Sequence, residues 1–297
     1  MTLLERKMIM KKIVNLFILF VLVFSLSGCL KRDNMEDISI YTTNYPSEYI
    51  TQRLYGDYSD IKSIYPDGVN IKDYKLTNKQ IEDYSKADLF IFNGISDEKD
   101  YVEKMRKDNG DLKIIDTTLS MEYTNGIEEL WLDPSNFLMM AQNIKTGFGE
   151  YIDSYYLNNK IEENYEGLKI EASNLDAKFK ETVSNGNSKI IVASSNLFKY
   201  LEKYGITVYS LDESNTDVNA IYRQVLNLAN DGSIKYIFTI ANEKSNSTVQ
   251  KLLDNTDLEA VEWHTLSILT EEERSENEDY FTLMNSNLEL LKNELYK

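Results

Sequence analysis

Ala87-Asp88-Leu89-Phe90-Ile91-Phe92-Asn93-Gly94 decides the fold. Four consecutive apolar residues, Leu89 to Phe92, leave no polar face. A strand made of them has to be covered on both sides, as in a parallel sheet flanked by helices. Upstream, Thr77 is placed to cap a helix running to Ala87, with Ile81 and Tyr84 on its buried face. Further upstream, residues 38–43 are rich in β-branched and aromatic side chains and predict a strand. A short helix over 47–55 follows, ended near Gly56, and then a strand centred on 61–65 that stops at the turn triplet Pro66-Asp67-Gly68. Downstream, a helix over 98–107 and a strand over 112–116 complete a βαβα lobe.

The alternation resumes in the second half, with strands expected over 189–193, 207–211, 236–240 and 260–263, helices between them and a last helix over 280–296. Between the halves, Pro134 suits a first helical turn before a helix over 137–148. Residues 159–182 then carry Ile161, Tyr165, Leu168, Leu175 and Phe179 at helical spacing, interrupted only by Gly167. The fold class expected is α/β: two lobes with mainly parallel sheets, joined by one long backbone helix, with a ligand cleft at the carboxyl ends of the strands.

The amino terminus carries an address. Lys11 and Lys12 precede an apolar stretch, 13–26, broken only by Asn15 and Ser25. At about 14 residues it matches a signal-peptide core and is too short to cross a hydrocarbon layer of about 30 Å. It runs into Leu26-Ser27-Gly28-Cys29, small residues followed by the only cysteine of the chain, which reads as a lipoprotein cleavage site with Cys29 lipidated. The expected organisation is a signal peptide over 1–28, a tether over 29–36, an amino-terminal lobe over 37–150, the linking helix over 151–188 and a carboxyl-terminal lobe over 189–297. Met10 beside Lys11-Lys12 is an alternative start to Met1.

The 297 residues carry a formal charge of −17. Residues 1–28 hold Arg6, Lys7, Lys11 and Lys12 against Glu5, so the mature chain is near about −20. That excludes nucleic acid as partner and argues against electrostatic adsorption to anionic lipid. With Cys29 acylated no thiol remains for a disulfide or a thiolate metal site. A single histidine, His264, excludes a multi-histidine zinc centre built from this chain.

Several segments together resemble the solute-binding lipoproteins of zinc and manganese ABC importers (cluster A-I type). They are Thr43-Asn44-Tyr45-Pro46 after the first strand, Pro66-Asp67-Gly68-Val69-Asn70-Ile71-Lys72-Asp73-Tyr74 after the second, the 87–94 segment, Trp131-Leu132-Asp133-Pro134, and Phe198-Lys199-Tyr200-Leu201. The resemblance covers essentially the whole mature chain. It implies two α/β lobes on a rigid helix, lipid anchoring at the outer face of the cytoplasmic membrane, an ABC permease as partner, a monomer, and no enzymatic activity.

Members of that family hold the metal with three histidines and one carboxylate, one from each of four loops. At the matching positions this chain has Lys72, Glu129, Ser195 and His264. An ammonium cannot ligate while protonated and repels a dication, so a degenerate site is expected. Glu129 and His264 are its remaining donors, holding zinc or manganese weakly if at all. The reading is therefore a solute-binding lipoprotein with an altered metal site. The alternative is a ligand-free accessory, adhesion or sensing lipoprotein on the same fold. Ser195, His264 and Glu129 also compose a nucleophile–base–acid list, but no Gly-x-Ser-x-Gly turn accompanies them, and no catalytic residue is assigned. Trp131 and Trp263 are expected to be packing residues beside the cleft.

Overall fold

In the computed structural model, residues 33–297 are described; the signal peptide, Cys29 and the first part of the tether lie outside them. The first half runs β1 (Ile38–Thr42), α1 (Tyr45–Tyr55), β2 (Ser59–Ser63), α2 (Asn78–Tyr84), β3 (Leu89–Phe92), α3 (Lys99–Asp108) and β4 (Lys113–Asp116). The strands form one all-parallel sheet in the order β2-β1-β3-β4. All four residues of β3 are buried, as a doubly covered central strand requires. Edge strand β2 never buries a residue fully, and begins and ends two residues before the expected 61–65. Ile64 and Tyr65 instead leave the ladder and pack into the lobe's core with Phe90, Phe92 and Met105.

Local chemistry sets the helix starts. Asn44 caps α1 by accepting from the Ser47 N–H at 2.9 Å. Thr77 and Gln80 form a reciprocal capping box on α2. At Gly94 a side chain would collide with the Asp116 carboxylate, which accepts the Gly94 N–H at 2.9 Å. The end of β3 and the end of β4 are thus held together by a contact only glycine permits.

A short helix α4 (Glu129–Leu132) leads into α5 (Pro134–Tyr151) and the 31-residue α6 (Tyr155–Asn185), which is unbroken at Gly167. At 1.5 Å per residue α6 is about 46 Å long. Its buried stripe, Leu157, Ile161, Tyr165, Leu168, Ala172, Leu175, Phe179 and Val183, repeats every three or four residues. It packs against α1 and α5 at one end and against the last helix at the other. Arg53 of α1 is also ion-paired to Glu171 of α6.

The second half continues with β5 (Ile190–Ala193), a 3₁₀ helix (Asn196–Tyr204), β6 (Thr207–Ser210), α7 (Val218–Asn230), β7 (Tyr236–Ile240), α8 (Ser247–Asn255), β8 (Glu259–Trp263), α9 (Glu271–Ser275) and α10 (Tyr280–Leu295). Its sheet, again all-parallel, has the order β6-β5-β7-β8. Both sheets reverse strand order beside their first strand, and at such a point the loops diverge and leave a crevice.

The two sets of carboxyl-end loops face each other. The segment after β8 accepts the Tyr45 N–H at Ser267 O (3.0 Å), the Gly68 N–H at Leu269 O (2.8 Å) and the Trp131 indole N–H at Thr265 O (2.7 Å). Phe137 stacks on Tyr280 at 3.8 Å between ring centres, and the Tyr280 hydroxyl donates to Trp131 O. Residues 37–297 consequently form one compact unit with a cleft between its two lobes. No helix among the described residues is long and apolar enough to cross a membrane.

Candidate functional site

Lys72 lies in the loop after β2, where the Asn70 side chain fixes the turn by accepting the Lys72 N–H at 3.0 Å. Its ammonium reaches into the cleft, 2.8 Å from Glu128 Oε1 and 3.1 Å from Glu243 Oε1. Glu128 is buried at the head of α4, whereas Glu243 sits in the loop after β7, so Lys72 joins the two lobes. Burial alone would lower the Lys72 pKa. The two carboxylates, Glu128 foremost, outweigh it, and the pKa is raised. The group is a permanent cation at neutral pH, flanked by two acids.

The acid facing Lys72 is therefore Glu128, not the expected Glu129. Successive residues of a helical turn point about 100° apart, and the next position is rotated out of the cleft. Glu129, the first residue of α4, is buried and turned back onto the loop that precedes it. One oxygen accepts the Thr124 N–H at 2.5 Å and the other the Asn125 N–H and side-chain amide, each at 3.2 Å. It satisfies backbone donors of a tight turn and offers nothing to the cleft.

His264 shares a cavity of about 210 Å³ with Lys72, Glu128 and Glu243. Both of its ring nitrogens are engaged. Nδ1 accepts the Leu266 N–H at 2.9 Å, and Nε2 lies 3.1 Å from Glu273 Oε1. Burial lowers the His264 pKa against the opposing pull of Glu273. The ring is thus neutral, with its proton on Nε2 and donated to Glu273. In this arrangement both ring nitrogens are engaged by groups of its own lobe. Asn287 fixes the backbone here, accepting the His264 N–H and donating to its carbonyl.

Ser195 caps the 3₁₀ helix through the Leu197 N–H and lines a neighbouring polar cavity with Asp212, Glu213 and Asn246. Glu243 belongs to the walls of both cavities. Of the four positions singled out in the sequence, Lys72 and His264 line one chamber, Ser195 lies beyond Glu243, and Glu129 is turned away. Among the described residues no cluster of three His, Cys, Asp or Glu side chains is arranged to hold a metal.

Sequence reading missed Glu128, Glu243 and Glu98. For Glu128 the signal was present, since it adjoins Glu129, but counting back from Trp131 fixes a position and not a rotation. Glu98 is 7 % exposed and lines a third cavity beside Lys72. Burial pushes its carboxyl up to about 7, against the pull of the Asn93 N–H that it accepts at 3.0 Å.

Residues 40–294 match the family model described as zinc-uptake complex component A periplasmic. The chain belongs to this family. It is 27 % identical, over 97 % of its length and all of the relative's, to the manganese ABC transporter substrate-binding lipoprotein PsaA of Streptococcus mitis. Its fold superposes with a TM-score of 0.71 on the Zn(II)-bound ZnuA-like domain of Streptococcus pneumoniae AdcA, at 21 % identity, over 88 % of this chain and 100 % of that one. The laminin-binding protein Lbp of Streptococcus pyogenes shares the fold with a TM-score of 0.68 at 18 % identity, over 88 % and 99 % of the two chains. Fold, family and relatives agree with the expected substrate-binding lipoprotein of an ABC importer, lipid-anchored outside the cytoplasmic membrane and serving a permease there.

Proposed function

We propose that this receptor has exchanged its metal for a cation of its own. The carrying observation is the Lys72 ammonium, 2.8 Å from Glu128 of one lobe and 3.1 Å from Glu243 of the other. A divalent ion entering there meets a fixed positive charge, a repulsion of about 4 kcal/mol per unit charge at 4 Å near a protein surface. It also meets only two carboxylates, both already paired. The chain therefore takes zinc and manganese weakly or not at all, acts as a monomer, and has no enzymatic role. Its cargo, if it delivers one to the permease, is something other than those two metals.

A second reading is that of a ligand-free accessory, adhesion or sensing lipoprotein. It is favoured by the same ion pair, since a cleft bridged by its own side chains needs no cargo to hold the lobes together. Calorimetric titration of metal-stripped protein with zinc and with manganese tests the first reading. No binding tighter than the micromolar range is expected. A sub-micromolar dissociation constant for either metal overturns it.

A further inference from the structure

Beside Lys72 and inside the first lobe lies a cavity of about 450 Å³. Its walls mix aromatic rings (Tyr65, Tyr74, Tyr101, Tyr123 and Trp131) with polar and charged groups, among which Glu98 lines it from the loop after β3. Cavities of this volume, mostly apolar with few polar groups aimed inward, are the usual form of small-molecule sites. Tyr65 and Tyr74, both in the wall, meet edge to face at 5.8 Å.

Glu98 is the anomaly. It is more than nine-tenths buried, and among the described residues no lysine, arginine or histidine pairs with it; its carboxylate accepts the Asn93 N–H at 3.0 Å. Two lysines also line the walls: Lys72, which is committed to Glu128 and Glu243, and Lys75, which is exposed. A buried carboxylate without a countercharge is costly, and proteins normally supply a partner. Tyrosine faces, like a carboxylate, attract cations rather than anions. Two independent features of one cavity therefore select the same charge.

We propose that this cavity binds a small organic ammonium compound, its cationic nitrogen set against Glu98 and its carbon frame against the tyrosines. This rests on the receptor reading above in supplying the cargo class, and it places the cargo beside the family's metal position rather than in it. The compound provides the countercharge that Glu98 lacks.

The test is calorimetric titration of the intact lipid-free chain with choline, ethanolamine and putrescine, with dimethylbutanol as the neutral carbon isostere of choline. Emission of Trp131 serves as a second readout, since Trp131 lines the cavity and Trp263 does not. At least one amine is expected to bind and shift the emission, with the isostere at least tenfold weaker. Glu98→Gln is expected to weaken binding at least tenfold, and Tyr123→Ala, at an exposed wall residue, severalfold. The proposal is overturned if no amine binds at millimolar concentration, if the isostere binds as tightly, or if a folded Glu98→Gln binds unchanged. Should Glu98→Gln fail to fold, Tyr123→Ala and the isostere decide. Zinc titration of the same preparation separates the two claims: tight zinc with amine binding removes the exchanged-metal reading and leaves this site standing, and neither ligand binding leaves that reading and removes this site.

Discussion

Lys72 and Glu243, separated by 171 positions and carried by different lobes, meet at 3.1 Å across the cleft. Together with Glu128 they form a triad of one cation and two anions. The single ammonium neutralises one of the two carboxylate charges. The triad is left net negative. It is also anchored on only one side, because Glu128 is buried and Glu243 is half-exposed.

Glu243→Gln should loosen the clasp with little loss of stability. Exposed ion pairs contribute about 0 to 1 kcal/mol, and solvent screens this one. The expected change in melting temperature is therefore small. Accessibility of a probe on the cleft wall or a small-angle scattering radius should rise, unless Arg274, paired with Glu48 and Asp67, holds the lobes by itself. Arg274→Gln combined with Glu243→Gln should then show the opening that the single variant does not. An unchanged double variant would mean that the packing of Trp131 and Tyr280, and not charge, fixes the lobes.

Stability should fall as pH rises through the titration of Glu98. Its folded pKa, about 7, lies above the ordinary glutamate value of 4.5, so the folded state binds more protons between those values. The contribution is most favourable below about pH 4.5, declines through the window and is fully unfavourable above pH 7, by about 3 kcal/mol at most. Glu98→Gln removes the titration while keeping an acceptor for the Asn93 N–H. Its melting temperature relative to the parent should be higher at pH 8 than at pH 5. An equal difference at both pH values would show that Glu98 is already ionised or already neutral throughout.

The alternation of strands and helices was legible because buried strands such as Leu89–Phe92 and the α6 stripe each carry one periodicity. The long helix starts at Tyr155, ahead of the expected 159, because Ser154 caps it by accepting the Leu157 N–H, a signal not used in the reading. Strand β2 was misplaced because Ile64 and Tyr65 look like strand residues but are core residues of a loop. The site was legible only as a set of loops. Which acid faces the cleft depends on one step of helical rotation, and the pairing of Lys72 with Glu243 depends on how two lobes close. His264 looked like a donor because nothing in its own neighbourhood in the sequence announces Glu273.

Cys29 lies outside the described residues, and its chemistry is testable directly. Mass spectrometry of the native amino terminus should show cleavage before Cys29 and a diacylglycerol adduct. Cys29→Ala should leave the protein as precursor or release it from membranes. Anchoring that survives this substitution would remove the lipid assignment.

Replacing the built-in cation should recover a metal site, and the residues that matter should be those of the triad. Lys72→His removes the repulsion and places an imidazole between Glu128 and Glu243, one nitrogen and two carboxylate donors with room for water, a set that zinc accepts. Zinc affinity should rise roughly a hundredfold over the parent, with Lys72→Met intermediate because it removes the charge and adds no nitrogen donor. In the Lys72→His background, Glu128→Gln should abolish the gain. His264→Gln should barely affect it, since both nitrogens of that ring are already committed to Leu266 and Glu273. Glu129→Gln should act only on stability, by weakening the turn at Thr124 and Asn125. Calorimetry with zinc across these variants reads the outcome. If His264→Gln or Glu129→Gln abolishes zinc binding and Glu128→Gln does not, the metal position lies elsewhere in the cleft and the exchange of metal for ammonium loses its structural basis.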